Sequence, residues 1–268
     1  GAREAEMALQ KYPNRFAVVY PAARLFHMDG IERKREPALR RALELLSHAC
    51  RLLDQNSDPD ISETSLRIEM ADALLGLGEE ERAIAMLRAN NPCGVNDEAI
   101  GCILAGMAGR REEAMPLLSM ALLRHVTAIL QIGSKLCNIY EDRGRLDQAD
   151  EILAWLYPFL RGLERPDQVS YLTKYRAAAL GCRAQIAWKS GREQDAEAFL
   201  REALALADRF DAAPNYRADA LRWYEGPDTA MAYDSMGATA RAAVRQVFTQ
   251  QGEDPEAGAF LTAFESEN

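Results

Sequence analysis

The residues able to do covalent or metal chemistry are few and scattered. Five cysteines (Cys50, Cys93, Cys102, Cys137, Cys182) contain no C-x-x-C pair, and His27, His48 and His125 form neither H-x3-H nor H-E-x-x-H. No tetrahedral zinc set and no metalloprotease helix is therefore encoded. Neither G-x-x-x-x-G-K-[ST] nor G-x-G-x-x-G occurs, so no loop is built to cradle a phosphate. The charge-rich strings "GRREE", "GRLDQ" and "GREQD" recur at regular places and read as solvated turns. No nucleophile stands beside a base, so the expectation is a chain that is not an enzyme and holds no metal or cofactor. What remains is hydrogen-bonding chemistry. Gln131, Asn138 and Gln185 each carry an amide that donates and accepts, the combination needed to hold an extended peptide backbone. Trp188 can wall an apolar pocket, Glu141 or Lys189 can select charge, and Asp72 is a further polar candidate.

The elements that position these residues follow from a recurring spacing. Gly78, Gly109, Gly144 and Gly191 are each followed five residues later by Ala (Ala83, Ala114, Ala149, Ala196) and four further on by Leu (Leu87, Leu118, Leu153, Leu200). Seven residues before each Gly stands a small residue: Ala71, Cys102, Cys137 and Ala184. Two antiparallel helices explain the columns, because a small residue on the first lets the second approach closely while its Ala and Leu pack into the gap. The Gly ends the first helix in a left-handed cap, and the acidic residues after it suit the positive end of the second helix. Segments with helical periodicity fill each unit, and no alternating Val/Ile/Thr run of strand length appears.

The pattern Gly-x4-Ala-x3-Leu with its upstream small residue resembles the tetratricopeptide repeat, whose period is 34 residues. The units are Ser65 to Asn90, Asp97 to Arg124, Leu130 to Leu160 and Tyr171 to Asp208. A weaker fifth uses Ala23 and Gly30, with a second helix starting near Pro37. The expected fold class is all-α, a tetratricopeptide-like α-solenoid: a right-handed superhelix of antiparallel helix pairs with a C-terminal helical cap. The chain divides into a degenerate repeat over 1–60, repeats over 61–212, and a cap with an acidic tail over 213–268, all in one continuous solenoid. Residues 165–191 read as one helix of about seven turns. Trp223, Tyr224, Tyr233 and Phe248 are expected to cover the last repeat. The resemblance implies that first helices line a concave groove, at positions ten, six and three before each Gly. These include Asp72, Asn138, Glu141, Gln185 and Trp188, with Gln131 and Lys189 on the border.

Bulk composition fits a core-forming chain: 268 residues, 48% hydrophobic and 27% charged. The net charge of −9 opposes broad contact with nucleic-acid backbones or anionic membranes. Arg124 and His125 interrupt the most apolar stretch, Met115 to Gly133, so no membrane helix is expected. An odd cysteine count without C-x-x-C points to a reducing, cytoplasmic setting. The N-terminus has no apolar leader, and a chain opening on Gly1-Ala2 reads as one that continues upstream.

Two stretches are similar to a narrower family. "NPCGVNDEAIGCILA" (91–105) and "APNYRADALRWYEGPDTAMAYDSMGATA" (213–240) resemble the C-terminal half of bacterial transcriptional regulators that join a lambda-repressor-type (XRE) helix-turn-helix to a tetratricopeptide solenoid. The resemblance implies a sensory, dimerising module that binds a peptide or partner in its groove, with Asn138 matching the groove asparagine of such regulators. Residues 1–60 contain no helix-turn-helix signature, so DNA would be bound only through a segment not in this sequence. The alternative is a free-standing tetratricopeptide scaffold or adaptor.

Overall fold

A computed structural model describes residues 1–267. The fold is all-α, made of consecutive antiparallel helix hairpins of tetratricopeptide type with a C-terminal helical cap. Among the described residues, extended pairing is limited to the isolated bridges Glu164–Leu221 and Arg217–Met231. Contacts cluster in two compact units that meet in sequence at Leu118/Ser119.

In the first unit α1 (Ala2–Lys11) precedes three hairpins. They are α2 (Phe16–Arg33) with α3 (Glu36–Arg51), α4 (Glu63–Gly76) with α5 (Glu80–Ala89), and α6 (Asp97–Gly106) with the start of α7 (Arg111–Asp142). In the second unit the rest of α7 pairs with α8 (Leu146–Leu163), and α9 (Tyr171–Lys189) pairs with α10 (Glu193–Ala212). An irregular segment then leads to α11 (Ala240–Phe248) and α12 (Pro255–Glu267).

The turn chemistry read from the sequence is realised. Gly78, Gly144 and Gly191 have φ of +72°, +68° and +69°, the left-handed region that L side chains avoid. Each closes a Schellman cap. At the last, Arg192 N–H donates to Ala187 O and Gly191 N–H to Trp188 O, both at 2.9 Å. Ala83, Ala149 and Ala196 are fully buried, as are Leu87, Leu153 and Leu200 to within a few per cent. Because Ala149 has no free space around it, Ala149→Trp should overpack the α7–α8 seam. The expected loss is about 1–3 kcal/mol or more, read as a drop in thermal midpoint against the parent; superimposable melts would contradict the packing.

Four local expectations need correction. The exposed Cys102 does not occupy the small-residue column; Gly101 does, since a Cβ there would lie 2.8 Å from Leu118. The reason is that α6 ends a residue earlier relative to Gly109, with Met107 extended (φ −85°, ψ 133°), which shifts the helical register by one. Gly30 is not a turn: α2 runs through it to a left-handed cap at Lys34, and Gly30 instead admits Leu39, 2.6 Å from where a Cβ would sit. No turn separates the second unit of the repeat from the third, whose helices merge into the 32-residue α7. The helix expected over 165–191 begins only at Tyr171, where Ser170 and Thr173 form a reciprocal cap.

By length and composition α7 could cross a membrane, with an 18-residue window of mean hydropathy 1.4. Part of its apolar surface sits in hairpin cores, Ala114, Leu117 and Leu118 in one cluster and Leu123, Val126 and Leu130 in another, while Leu122, Ile132, Leu136 and Ile139 are exposed.

Candidate functional site

The second unit contains a cleft of about 840 Å³ bounded by α7, α9, α11 and the turn at Ser235–Met236. α7 packs on α8 at Gly133, where an added Cβ would stand in ordinary contact 3.5 Å from Leu156, and the next turns of α7 line the cleft. Leu153, Leu156 and Leu160 of α8 and Ala178 and Ala179 of α9 make a buried apolar base. Gln131, Ser134 and Asn138 of α7 and Gln246 of α11 line it as exposed polar groups. Ile132 and Leu136, also on its lining, are 60% and 42% exposed, and Ile139 continues the same stripe at helical spacing.

The seven candidate residues are distributed differently from the expectation. Gln131 and Asn138 both line the cleft. Glu141, Gln185 and Lys189 come together, but as a closed network. With its amide turned so that both ends find partners, Gln185 donates to Glu141 Oε2 (3.2 Å) and accepts from Lys189 Nζ (2.7 Å) and Gln250 Nε2 (3.2 Å). Gln185 is 2% exposed, so it is not available on a groove surface. Trp188 packs on Phe260 of α12, ring centroids 4.4 Å apart, and joins the core around Phe248 rather than walling a pocket. Asp72 belongs to the first unit, where its carboxylate lies 2.9 Å from His27 Nε2.

The physical reason is that α11 lies on the α9 face carrying Gly181 and Gln185. A Cβ on Gly181 would stand 2.8 Å from Val247 and 3.4 Å from the Val244 carbonyl, so only glycine permits this approach. Ala240, Ala243, Val244 and Phe248 form the matching buried stripe of α11. That stripe and the bare Gly181 were the signals in the sequence for self-coverage. Of the aromatics expected to cap the last repeat, Phe248 and Tyr224 are buried, whereas Trp223 and Tyr233 are 61% and 85% exposed. Lys135, Tyr175, Met236 and Gln246 line the cleft without having been expected there.

The two cysteines lining the cleft are not activated as nucleophiles. Burial, aided by the charge of Glu141, pushes the Cys182 thiol up to about 12. Burial raises Cys137 further still, with Cys182 and Glu141 adding to it. Both therefore stay protonated at neutral pH, the reverse of an activated cysteine. Among the described residues no group of three or more His, Cys, Asp or Glu is arranged to hold a metal ion.

No protein-family model and no curated protein sequence matches the chain. Solved structures that align with it include a Podosopora anserina putative kinesin light chain with nearly identical TPR-like repeats and a variant of the same protein. Each is 16% identical with a TM-score of 0.32, covering 76% and 75% of this chain and 99% of the other. Likeness at this level adds no weight, and the assignment of fold stands on the helix pairing described above.

Proposed function

We propose that the chain is a non-catalytic interaction module that holds an extended peptide in the cleft between α7, α9 and α11. The observation that carries this reading is the pairing of an apolar base with amide side chains at its edge: Gln131, Asn138 and Gln246 over Leu153, Leu156 and Leu160. A backbone needs donors and acceptors at intervals, and its side chains need apolar ground between them. The exposed Ile132, Leu136 and Ile139 extend that ground along α7.

In the wider setting, the resemblance of 91–105 and 213–240 to helix-turn-helix regulators supports a role as the ligand-sensing and dimerising part of a cytoplasmic transcriptional regulator, with DNA contacted by a separate segment. A ligand touching both α7 and α11 would act on such a module by favouring one arrangement of cap and hairpin over another.

The test is a peptide array followed by calorimetry of the best decapeptide against the parent and Asn138→Ala. Asn138 is exposed, so folding should be unchanged while binding weakens by about 1–3 kcal/mol, because a peptide group is left unpaired. Equal affinity, or a peptide that maps outside the cleft, would remove this site.

A further inference from the structure

A second cleft of the same unit, about 420 Å³, shares no lining residue with the first. Five arginines line it: Arg161 of α8, Arg165 just beyond it, Arg176 of α9, Arg209 of α10 and Arg222 of the irregular segment. Only two carboxylates accompany them, on a chain whose net charge is −9. Glu164 is buried and already committed, accepting from Ser170 Oγ (3.0 Å), Thr173 Oγ1 (2.5 Å) and the Arg176 guanidinium. Glu202 accepts from Tyr157 OH, which itself accepts from Arg176 at 2.9 Å.

Two of the other four are tied to the backbone without a carboxylate: the main-chain N–H of Arg222 donates to Leu163 O at 2.8 Å, and Arg165 Nε donates to Leu221 O at 3.2 Å. Among the described residues Arg161, Arg165, Arg209 and Arg222 have no Asp or Glu within ion-pair distance. Most other arginines of the unit, such as Arg183 with Asp150 and Arg241 with Asp208, do have one. Arg176 is nine-tenths buried and its Nε has no hydrogen-bond acceptor. Gathering like charges from four segments into one pocket costs repulsion that an anion would offset.

We propose that this cleft binds the phosphoryl group of a small organic phosphate. A carboxylate is satisfied by one guanidinium fork, whereas a phosphoryl group spreads its charge over three oxygens and accepts from several. Several forks at one polar pocket of this size match the second chemistry. Thr173 and Gln168 add neutral hydrogen-bonding groups to the lining.

The experiment titrates the full chain by calorimetry with inorganic phosphate and with glycerol 3-phosphate, with sodium chloride at matched ionic strength as the control. The variants are Arg161→Ala/Arg209→Ala, both exposed positions, and Arg192→Ala, an exposed arginine at the start of α10 outside the cleft. The expected result is saturable one-to-one binding by the parent and by Arg192→Ala, weakened about tenfold or more in the double variant at unchanged circular dichroism. Tighter binding of glycerol 3-phosphate than of phosphate supports an organic phosphate as occupant. Binding absent in the parent, binding undiminished in the double variant, a heat signal reproduced by chloride, or phosphate bound as tightly as the ester would each overturn the proposal.

Discussion

Replacing Lys174 by Met is expected to destabilise the second unit by about 3–5 kcal/mol, because it leaves a buried carboxylate without its partner. Lys174 is completely buried on α9, and its Nζ donates to Asp234 Oδ1 (3.0 Å), Tyr216 OH (3.0 Å) and Gly237 O (2.6 Å). All three acceptors belong to the irregular segment between α10 and α11, so one ammonium pins that segment to the helix. Asp234 is 3% exposed at its side chain and cannot recover hydration without the segment lifting. Urea unfolding should therefore show the loss, and limited proteolysis should begin to cut between Ala213 and Thr239. Lys174→Met/Asp234→Asn should regain part of the stability, since the uncompensated charge is gone. Burial acts to lower the Lys174 pKa, but the hydrogen bonds to Tyr216 and Asp234 outweigh it and hold the ammonium above its ordinary 10.5. A folded pKa above the unfolded one means the contribution is fully present below that ordinary value and fades only as pH rises through the folded value. The stability difference between parent and Lys174→Met should accordingly be flat across the neutral range. Melts that coincide at neutral pH would rule out the pinning role.

Phe248→Ala is expected to cost a similar amount, about 3–5 kcal/mol, through the cavity left by a fully buried ring. Phe248 ends α11 with its ring 6.0 Å from Phe260 of α12, in the core that also holds Leu200, Leu204 and Phe210. Its loss loosens both cap helices from α9. Trp188 then supplies a clean readout: Trp155 and Trp223 are already 57% and 61% exposed, so a red shift of emission reports Trp188 leaving Phe260. The same substitution should abolish peptide binding, because Ala243, Gln246 and Val247 of α11 form one side of the cleft. Unchanged melting together with unchanged emission would mean that α11 and α12 do not rest on α9 through this ring.

The hairpins were legible in the sequence because their causes are local. A left-handed glycine is demanded by the three or four residues around it, and Gly78, Gly144 and Gly191 meet that demand wherever the rest of the chain goes. The Ala and Leu columns follow in the same way, since a second helix starting from such a turn must bury one fixed face. Local rules reach their limit at Gly101, where a helix shorter by one residue moved the packing position off Cys102. Which helix face stays open is a question no local rule answers. Gln185 and Trp188 sit at positions that an uncapped repeat would expose, and they are covered because α11 and α12, encoded some 50 to 80 residues later, dock on them. Gln131 and Asn138 kept their place because nothing among the described residues closes over α7 there. The arginine cleft was invisible for the same reason: Arg161, Arg176, Arg209 and Arg222 are spread over some 60 residues and four segments, each ordinary by itself. Only the return of the irregular segment to the end of α8, through Arg222 and Leu163, makes them one pocket.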